Sequence, residues 1–383
     1  MRRVAATAIA LVFIGAPAAR AQAASGVAPV VADVVAQQVR ALMPDDGAAV
    51  AVRHDGKTEF YNVGAADRAR NRPVTSDSLF NLASIGKLFA SILLAQAVKQ
   101  DELRLDDPIA KSITELQQGG DIRRVTYGEL ASHTSGLPRV PEQYERWHKG
   151  PYAPPDFTRF LNSWKADPQH EPGRQDIYSN AAFVLLRVAL ARRFATPFAT
   201  LMEQRLTGPL GMTSTVLAPL TGNGKDRLLA AAVQGYGPMG RPVGQPGEDS
   251  GNAFTGDDAG QIFSSARDMA IFLTANLGEL PGHQPLQAAM AFAQQGVFKV
   301  NDHFTQGLAW QIVSAGKLTI VDKNGGLQNT STYIGLVPQR KLGIVILANR
   351  GRQPATKVGR AILQALAEEP SAPVGEGDGG EPD

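Results

Sequence analysis

A chain of 383 residues with 43% hydrophobic and 19% charged side chains can bury a large core and is too apolar for a disordered protein. A formal net charge of +2 gives no basic footprint for nucleic acid, and the absence of cysteine removes disulfides, thiol nucleophiles and cysteine metal sites. The histidines, at 54, 133, 148, 170, 283 and 303, show no HExxH pair or other tight ligand spacing, so no metal site is expected.

The chain begins MRRVAATAIALVFIGAPAARAQ: a basic start, an apolar run from Val4 to about Ala16, then Ala19-Arg20-Ala21. This is the pattern of a secretory signal peptide, residues 1–21, cut after Ala21. The run is too short for a comfortable membrane anchor. Loss of Arg2, Arg3 and Arg20 leaves 35 basic against 36 acidic side chains, a net charge of −1. VAPVVADVVAQQVRALM then has apolar residues at helical spacing, and GAAVAVRHDGKTEFYNVG reads as two strands joined by an Asp55-Gly56 turn.

From residue 84 to about 300 the signals are helices and Pro/Gly-rich loops, QGYGPMGRPVGQPGEDSGNAFTG being loop by composition. Strand signals return in LAWQIV, LTIVDK, STYIGLV and LGIVILAN, and ATKVGRAILQALAEE closes the fold as a helix. Strands, then helices, then strands predict an α+β fold. The early hairpin joins the late strands in one antiparallel sheet covered by the first and last helices. The expected organisation is an α/β lobe over about 27–80 and 300–367, a helical lobe over about 81–299, and a disordered acidic tail over 368–383. No internal repeat is visible, and no later segment is apolar for long enough to span a membrane.

FNLASIGKLF places Ser84 three residues before Lys87 at a helix start. SAGK, Ser314 to Lys317, matches the same SxxK spacing but lies between two strand signals and reads as a hairpin turn, so the bare motif decides nothing. After Ser84, the apolar residues Ile85, Leu88, Phe89, Ile92 and Leu93 predict a buried amphipathic helix to about Gln100. Free amides and the positive dipole end at its first turn favour developing negative charge at Ser84. Lys87 lies over the same helix face and, once desolvated, can accept a proton. These residues alone leave open a nucleophile or a helix N-cap. EPGRQDIYSNAAF adds Tyr178 and Asn180 just before a helix, able to give a phenol and an amide to one cavity. VDKNGGLQNT adds Lys323 at the end of a strand, followed by Asn324, Gly325 and Gly326.

The order SxxK, YxN, KxG resembles the serine β-lactamase and penicillin-binding protein superfamily, specifically its class C (AmpC-type) branch. The resemblance runs from about Val27 to Ala367 and includes PVTSDSLFNLASIGKLF, LRLDDPIAK, LASHTSGLP, HFTQGLAWQIV and QRKLGIVILANR in family order. It implies that Ser84 attacks the β-lactam carbonyl to form an acyl-enzyme. Lys87 and Tyr178 would share the proton transfers, Tyr178 as base, with Lys87 and Lys323 favouring its phenolate form. It further implies that Asn180 holds the substrate amide and Lys87. The Ser84 and Gly326 amides would form the oxyanion hole, and Lys323, helped by Asn349, would face the substrate carboxylate. No cofactor or metal is implied. The expected partner is a small β-lactam or peptidoglycan-like substrate, the location expected from the leader and the resemblance together is a periplasm, and nothing in the sequence suggests more than a monomer.

The class A pattern fits worse: Leu161-Asn162 lacks the preceding glutamate, and the second motif is YSN rather than SDN. No GxSxG elbow supports an α/β-hydrolase. His133 in SHTSG, beside Ser132 and Ser135, is placed by the resemblance as structure near the site. Three departures bear on substrate range: Asn324 where the usual third motif has threonine, a shorter stretch between LAWQIV and Lys323, and Val140 where a glutamine often follows GLP. The same residues serve a β-lactamase, a D-alanyl-D-alanine peptidase or an esterase of this fold. A catalytically dead peptidoglycan-recognition module is a fourth reading, which loss of Ser84, Lys87 or Tyr178 would favour; all three are present.

Overall fold

The computed structural model describes residues 29–42, 47–141, 151–220, 224–249 and 252–367. The leader read at 1–21 and the acidic tail read at 368–383 lie outside the described residues. In chain order the elements begin with α1 (Pro29–Leu42), β1 (Ala48–His54), β2 (Lys57–Val63), β3 (Ala65–Asp67), β4 (Arg72–Pro73) and β5 (Leu79–Asn81). A 3₁₀ turn, Ala83–Gly86, leads into α2 (Lys87–Lys99), followed by α3 (Tyr127–Ala131), α4 (Pro154–Ser163), α5 (Asn180–Arg193) and α6 (Phe198–Met202). Then come β6 (Val216–Leu217), α7 (Lys225–Ala231), β7 (Ile262–Ser265), α8 (Ala266–Asn276) and α9 (Gln284–Ala293). The chain ends in β8 (Phe298–Lys299), β9 (Phe304–Gln306), β10 (Gln311–Ala315), β11 (Leu318–Leu327), β12 (Thr330–Val337), β13 (Leu342–Ala348) and α10 (Ala355–Leu366).

The main sheet has eight antiparallel strands in the order β2-β1-β13-β12-β11-β10-β9-β8, so the early hairpin does join the late strands, through β1 and β13. Asp55 and Gly56 both take positive φ, 49° and 72°, as a two-residue turn matched to strand twist requires. Ser314 is an exposed residue of β10, and Gly316-Lys317 is the tight turn into β11, with Gly316 at φ 64°. The second SxxK is therefore hairpin, as its composition indicated.

Two corrections arise here. The sequence reading ended a strand at Lys323, but β11 continues through Asn324, Gly325 and Gly326, paired with Tyr333, Thr332 and Ser331 of β12. The glycines weaken a strand locally, and the β12 ladder compensates. The helix after Ser84 is not amphipathic: every residue of α2 from Lys87 to Ala95 is buried, because α5 and α9 pack around it.

The sheet's two faces have separate jobs. On one, α1 and α10 cover Val50, Ile320, Tyr333 and Ile346. On the other, α8 packs on β1 and β13, and the 3₁₀ turn bearing Ser84 packs on β11 and β12. The pleat sends neighbouring residues to opposite faces, so Asp322 and Lys323 diverge. Asp322, fully buried, accepts from Tyr333 Oη at 2.9 Å and from Arg360 Nε of α10 at 2.7 Å. That buried pair locks α10 to the strand whose next residue enters the site. Arg360→Met leaves the Asp322 carboxylate without its cation and is expected to cost about 3–5 kcal/mol in denaturant unfolding. A cost below about 1 kcal/mol would show the pair to be unimportant.

Candidate active site

The Ser84 turn is held from three directions. Leu82 N donates to Ile262 O of β7 at 2.8 Å, Thr332 Oγ1 of β12 donates to Leu82 O at 2.9 Å, and Asn81 Oδ1 accepts from Ala83 N at 2.8 Å. These bonds hold Ala83 at φ 48°, a conformation that non-glycine residues rarely adopt and that a surrounding structure must impose. The strain sits one residue before Ser84. The Ser84 hydroxyl caps no helix. It lies 2.5 Å from Tyr178 Oη and accepts from Lys87 Nζ at 2.9 Å.

Tyr178 and Asn180 are placed by the start of α5. Ser179 between them is the N-cap: its Oγ accepts from Ala182 N at 2.9 Å and donates to Pro138 O at 2.7 Å. Arg139 O accepts the amides of Asn180 and Ala181. Asn180 is thus the first helical residue, and its Oδ1 accepts from Lys87 Nζ at 2.8 Å. Cations surround the phenol: Lys87 Nζ and Lys323 Nζ each lie 4.8 Å from the ring centroid, and Arg139 Cζ lies 5.3 Å from it. His133 stacks against the same ring at 4.5 Å. Its Nδ1 accepts from Ser179 N at 3.1 Å, so Nε2 carries the proton. Burial, then the charges of Lys323 and Lys87, push its pKa well below the ordinary imidazole value. His133 is a neutral platform, and Ser132 bonds to Gly128 O and Thr134 rather than to it.

Lys323 is 1% exposed, which rules out a solvated strand lysine. Asn324 follows it, nearly buried. Gly325 is required by contact: a Cβ there would meet Thr332 Oγ1 at 2.5 Å, Leu82 O at 2.7 Å and Ser84 N at 2.9 Å. Gly326 continues the strand beside Ser84's turn. Asn349 is a correction. The resemblance implies that it helps Lys323 face a substrate carboxylate, but it is fully buried with its amide engaged. It accepts from Gly47 N and donates to Ala65 O and Gln234 O, at 2.8, 2.9 and 3.0 Å, tying three segments to the end of β13.

The cleft beside Ser84 is also lined by Phe183, Val184 and Arg187 of α5 and by Asn252, Gln261 and Leu327. Val140 packs on the core, and Asn162 bonds to Glu115 O, away from this cleft. The sequence reading missed Arg139, Asp176 and Arg187. Asp176 is legible only afterwards, two residues before Tyr178 on the same extended segment. Its Oδ1 is buried without a hydrogen-bond partner, and burial, opposed by Lys323, pushes the carboxyl up to about 6.

Two outcomes follow from this geometry. Gly325→Ala forces the Ser84 turn off β11 and is expected to cost about 1–3 kcal/mol of stability, with slower serine acylation by a covalent probe; unchanged stability and labelling would refute the contact. Asp176 is raised in the folded state, so wild type holds an extra proton between about pH 4 and 6 and loses stability as pH rises through that window. Asp176→Asn is therefore expected to be more stable by about 1–3 kcal/mol at pH 7, with the difference vanishing below about pH 4 in a melting series. A constant difference across pH would refute it.

A hydroxyl between a phenol and a lysine amine has two groups within reach that are able to carry its proton. The β-lactamase family model matches residues 35–369, and the chain belongs to that family. The β-lactamase of Pseudomonas fluorescens is 28% identical over 356 residues, covering 84% of this chain and 93% of that one. Among solved structures, a class C β-lactamase superposes with a TM-score of 0.76 at 25% identity, over 88% of this chain and 96% of that one. The D-alanine carboxypeptidase AmpC of Burkholderia cenocepacia superposes with a TM-score of 0.75 at 28% identity, over 88% of this chain and 99% of that one.

Proposed function

We propose that this protein is a class C-type serine β-lactamase that hydrolyses β-lactams through an acyl-enzyme on Ser84. The observation that carries the proposal is the contact of one hydroxyl with both Tyr178 Oη and Lys87 Nζ. Ser84 Oγ bonds to the lactam carbonyl carbon as its proton passes to Tyr178 Oη, and the C–N bond breaks as that proton reaches the ring nitrogen. Lys87, held by Asn180, stabilises negative charge on either oxygen. A water then gives its proton to Tyr178 and attacks the ester, and Ser84 Oγ leaves with a proton. The cations around Tyr178 favour charge on its oxygen throughout. The amides of Ser84 and Gly326 bind the oxyanion, and Lys323, beside Asn324 and Gly325, attracts the substrate carboxylate. The mechanism as written needs no metal or cofactor.

A second reading is a D-alanyl-D-alanine carboxypeptidase, supported by the likeness to the Burkholderia carboxypeptidase. The two differ in how fast water reaches the ester, and tenfold in that rate is only about 1.4 kcal/mol. The basic-apolar-small leader pattern supports export to a periplasm. No helix among the described residues is long and apolar enough to cross a membrane.

The test is turnover of a chromogenic cephalosporin by the chain from residue 22, with mass spectrometry of the protein through time. Sustained turnover with a transient adduct on the Ser84 peptide is expected. A lasting adduct without turnover would establish the peptidase reading. Ser84→Ala is expected to form no adduct, and Ser314→Ala to behave as wild type. Labelling of Ser84→Ala would overturn the nucleophile.

A further inference from the structure

One face of α5 carries the site into a region that the three sequence motifs do not reach. Asn180, Phe183, Val184 and Arg187 are spaced i, i+3, i+4 and i+7, and all four line the cleft that holds Ser84 and Lys87. Asn252 and Gln261 face them. The cavity is about 80 Å³, room for roughly two or three waters at about 30 Å³ each, or for a small polar group.

Arg187 is 7% exposed. Its Nη1 donates to Gly260 O at 2.7 Å and its Nη2 more weakly to Gly86 O at 3.4 Å. Nε is buried with no hydrogen-bond partner. The guanidinium lies over the Phe198 ring at 5.2 Å. Among the described residues no carboxylate stands within ion-pair distance of it. Asp249 and Asp258 act on it only from farther away, and burial raises both of those carboxyls from their ordinary value. Burial also lowers Arg187 itself to about 10. A buried cation held only by carbonyls and an aromatic face leaves part of its desolvation cost uncompensated. An anion entering the cleft would supply the missing charge. The described lining carries two cations, Lys87 and Arg187, and no acidic side chain.

We propose that the cleft beside Ser84 selects acyl groups that carry a carboxylate, with Arg187 as the counter-ion that receives it. The inference rests on the acyl-enzyme reading above. Lys323 would take the carboxylate on the leaving side of the scissile bond, and we assign the acyl side chain to the other wall, where Arg187 lies two turns along α5 from Asn180. A guanidinium suits this role because its planar fork matches a carboxylate and it stays charged when partly desolvated.

Two penicillins that differ by one group provide the test: benzylpenicillin and its α-carboxy derivative. The second-order rate constant for acylating Ser84 is measured for each by time-resolved mass spectrometry, in wild type, Arg187→Gln and Arg187→Lys. The quantity read is the ratio, carboxylated over parent, within each variant, so partial loss of folded protein cancels. The ratio is expected to fall about tenfold in Arg187→Gln and to be largely kept in Arg187→Lys. A merely structural Arg187 would slow both penicillins alike and leave the ratio unchanged, which would overturn this inference and leave the acyl-enzyme reading standing. Wild type that forms no adduct with either penicillin would overturn that reading and this inference together.

Discussion

The site depends on how closely β11 approaches the turn that carries Ser84. At Gly325 the strand comes so near that a single methyl would collide with Thr332 Oγ1, Leu82 O and Ser84 N. The same approach lets Thr332 bond to Leu82 O and hold Ala83 in its left-handed conformation. The strain at Ala83 is sustained by groups from β12, β7 and Asn81, all of which belong to sheets rather than to the helix that Ser84 begins. A serine on a helix start would ordinarily spend its hydroxyl on capping. Here the turn directs that hydroxyl at Tyr178 and Lys87.

β11 also explains why the sheet's far face bears on chemistry. Asp322 and Lys323 are adjacent and point oppositely. The first is bound by Arg360 and Tyr333, so α10 fixes the strand's rotation, and with it the position of the Lys323 ammonium above the Tyr178 ring. A strand with β10 against its first half and only β12 against its second would twist freely at its glycines. The buried ion pair counters that freedom one residue before the site.

How much of this was legible follows from which interactions are local. The Asp55-Gly56 turn, the β-branched strands and the SxxK helix start all write their signal within a few residues, and each forms where composition indicated. The strand through Gly325 was missed because glycine carries no strand signal of its own; only its pairing with Thr332 defines it. The burial of α2 on all sides was misread because an apolar stripe was visible, while its other faces carry Ala90, Ser91, Ala95 and Ala97, which are small enough to pack in a core without marking it. Asn349 was placed beside the substrate carboxylate by the resemblance alone. Its three backbone partners come from positions 47, 65 and 234, which no local pattern links. Arg139 and Arg187 likewise had no motif: one meets the site through its carbonyl and its guanidinium over Tyr178, the other lines the cleft from a helix face whose partner wall is long-range.

The site also separates a tightly bonded polar cluster from the walls around it. The hydroxyl, phenol, amine and amide of Ser84, Tyr178, Lys87 and Asn180 are held by short bonds to one another, between helix starts. The surrounding cations serve one phenol, and His133 can sit among them only because it stays neutral. The departures in sequence lie outside that cluster: Asn324 on β11, the tight β10–β11 turn, and Val140 packed on the core. A chain can therefore change the walls of its cleft while the hydroxyl, phenol and amine stay in register, because the walls are side chains on elements whose backbones the site has already fixed.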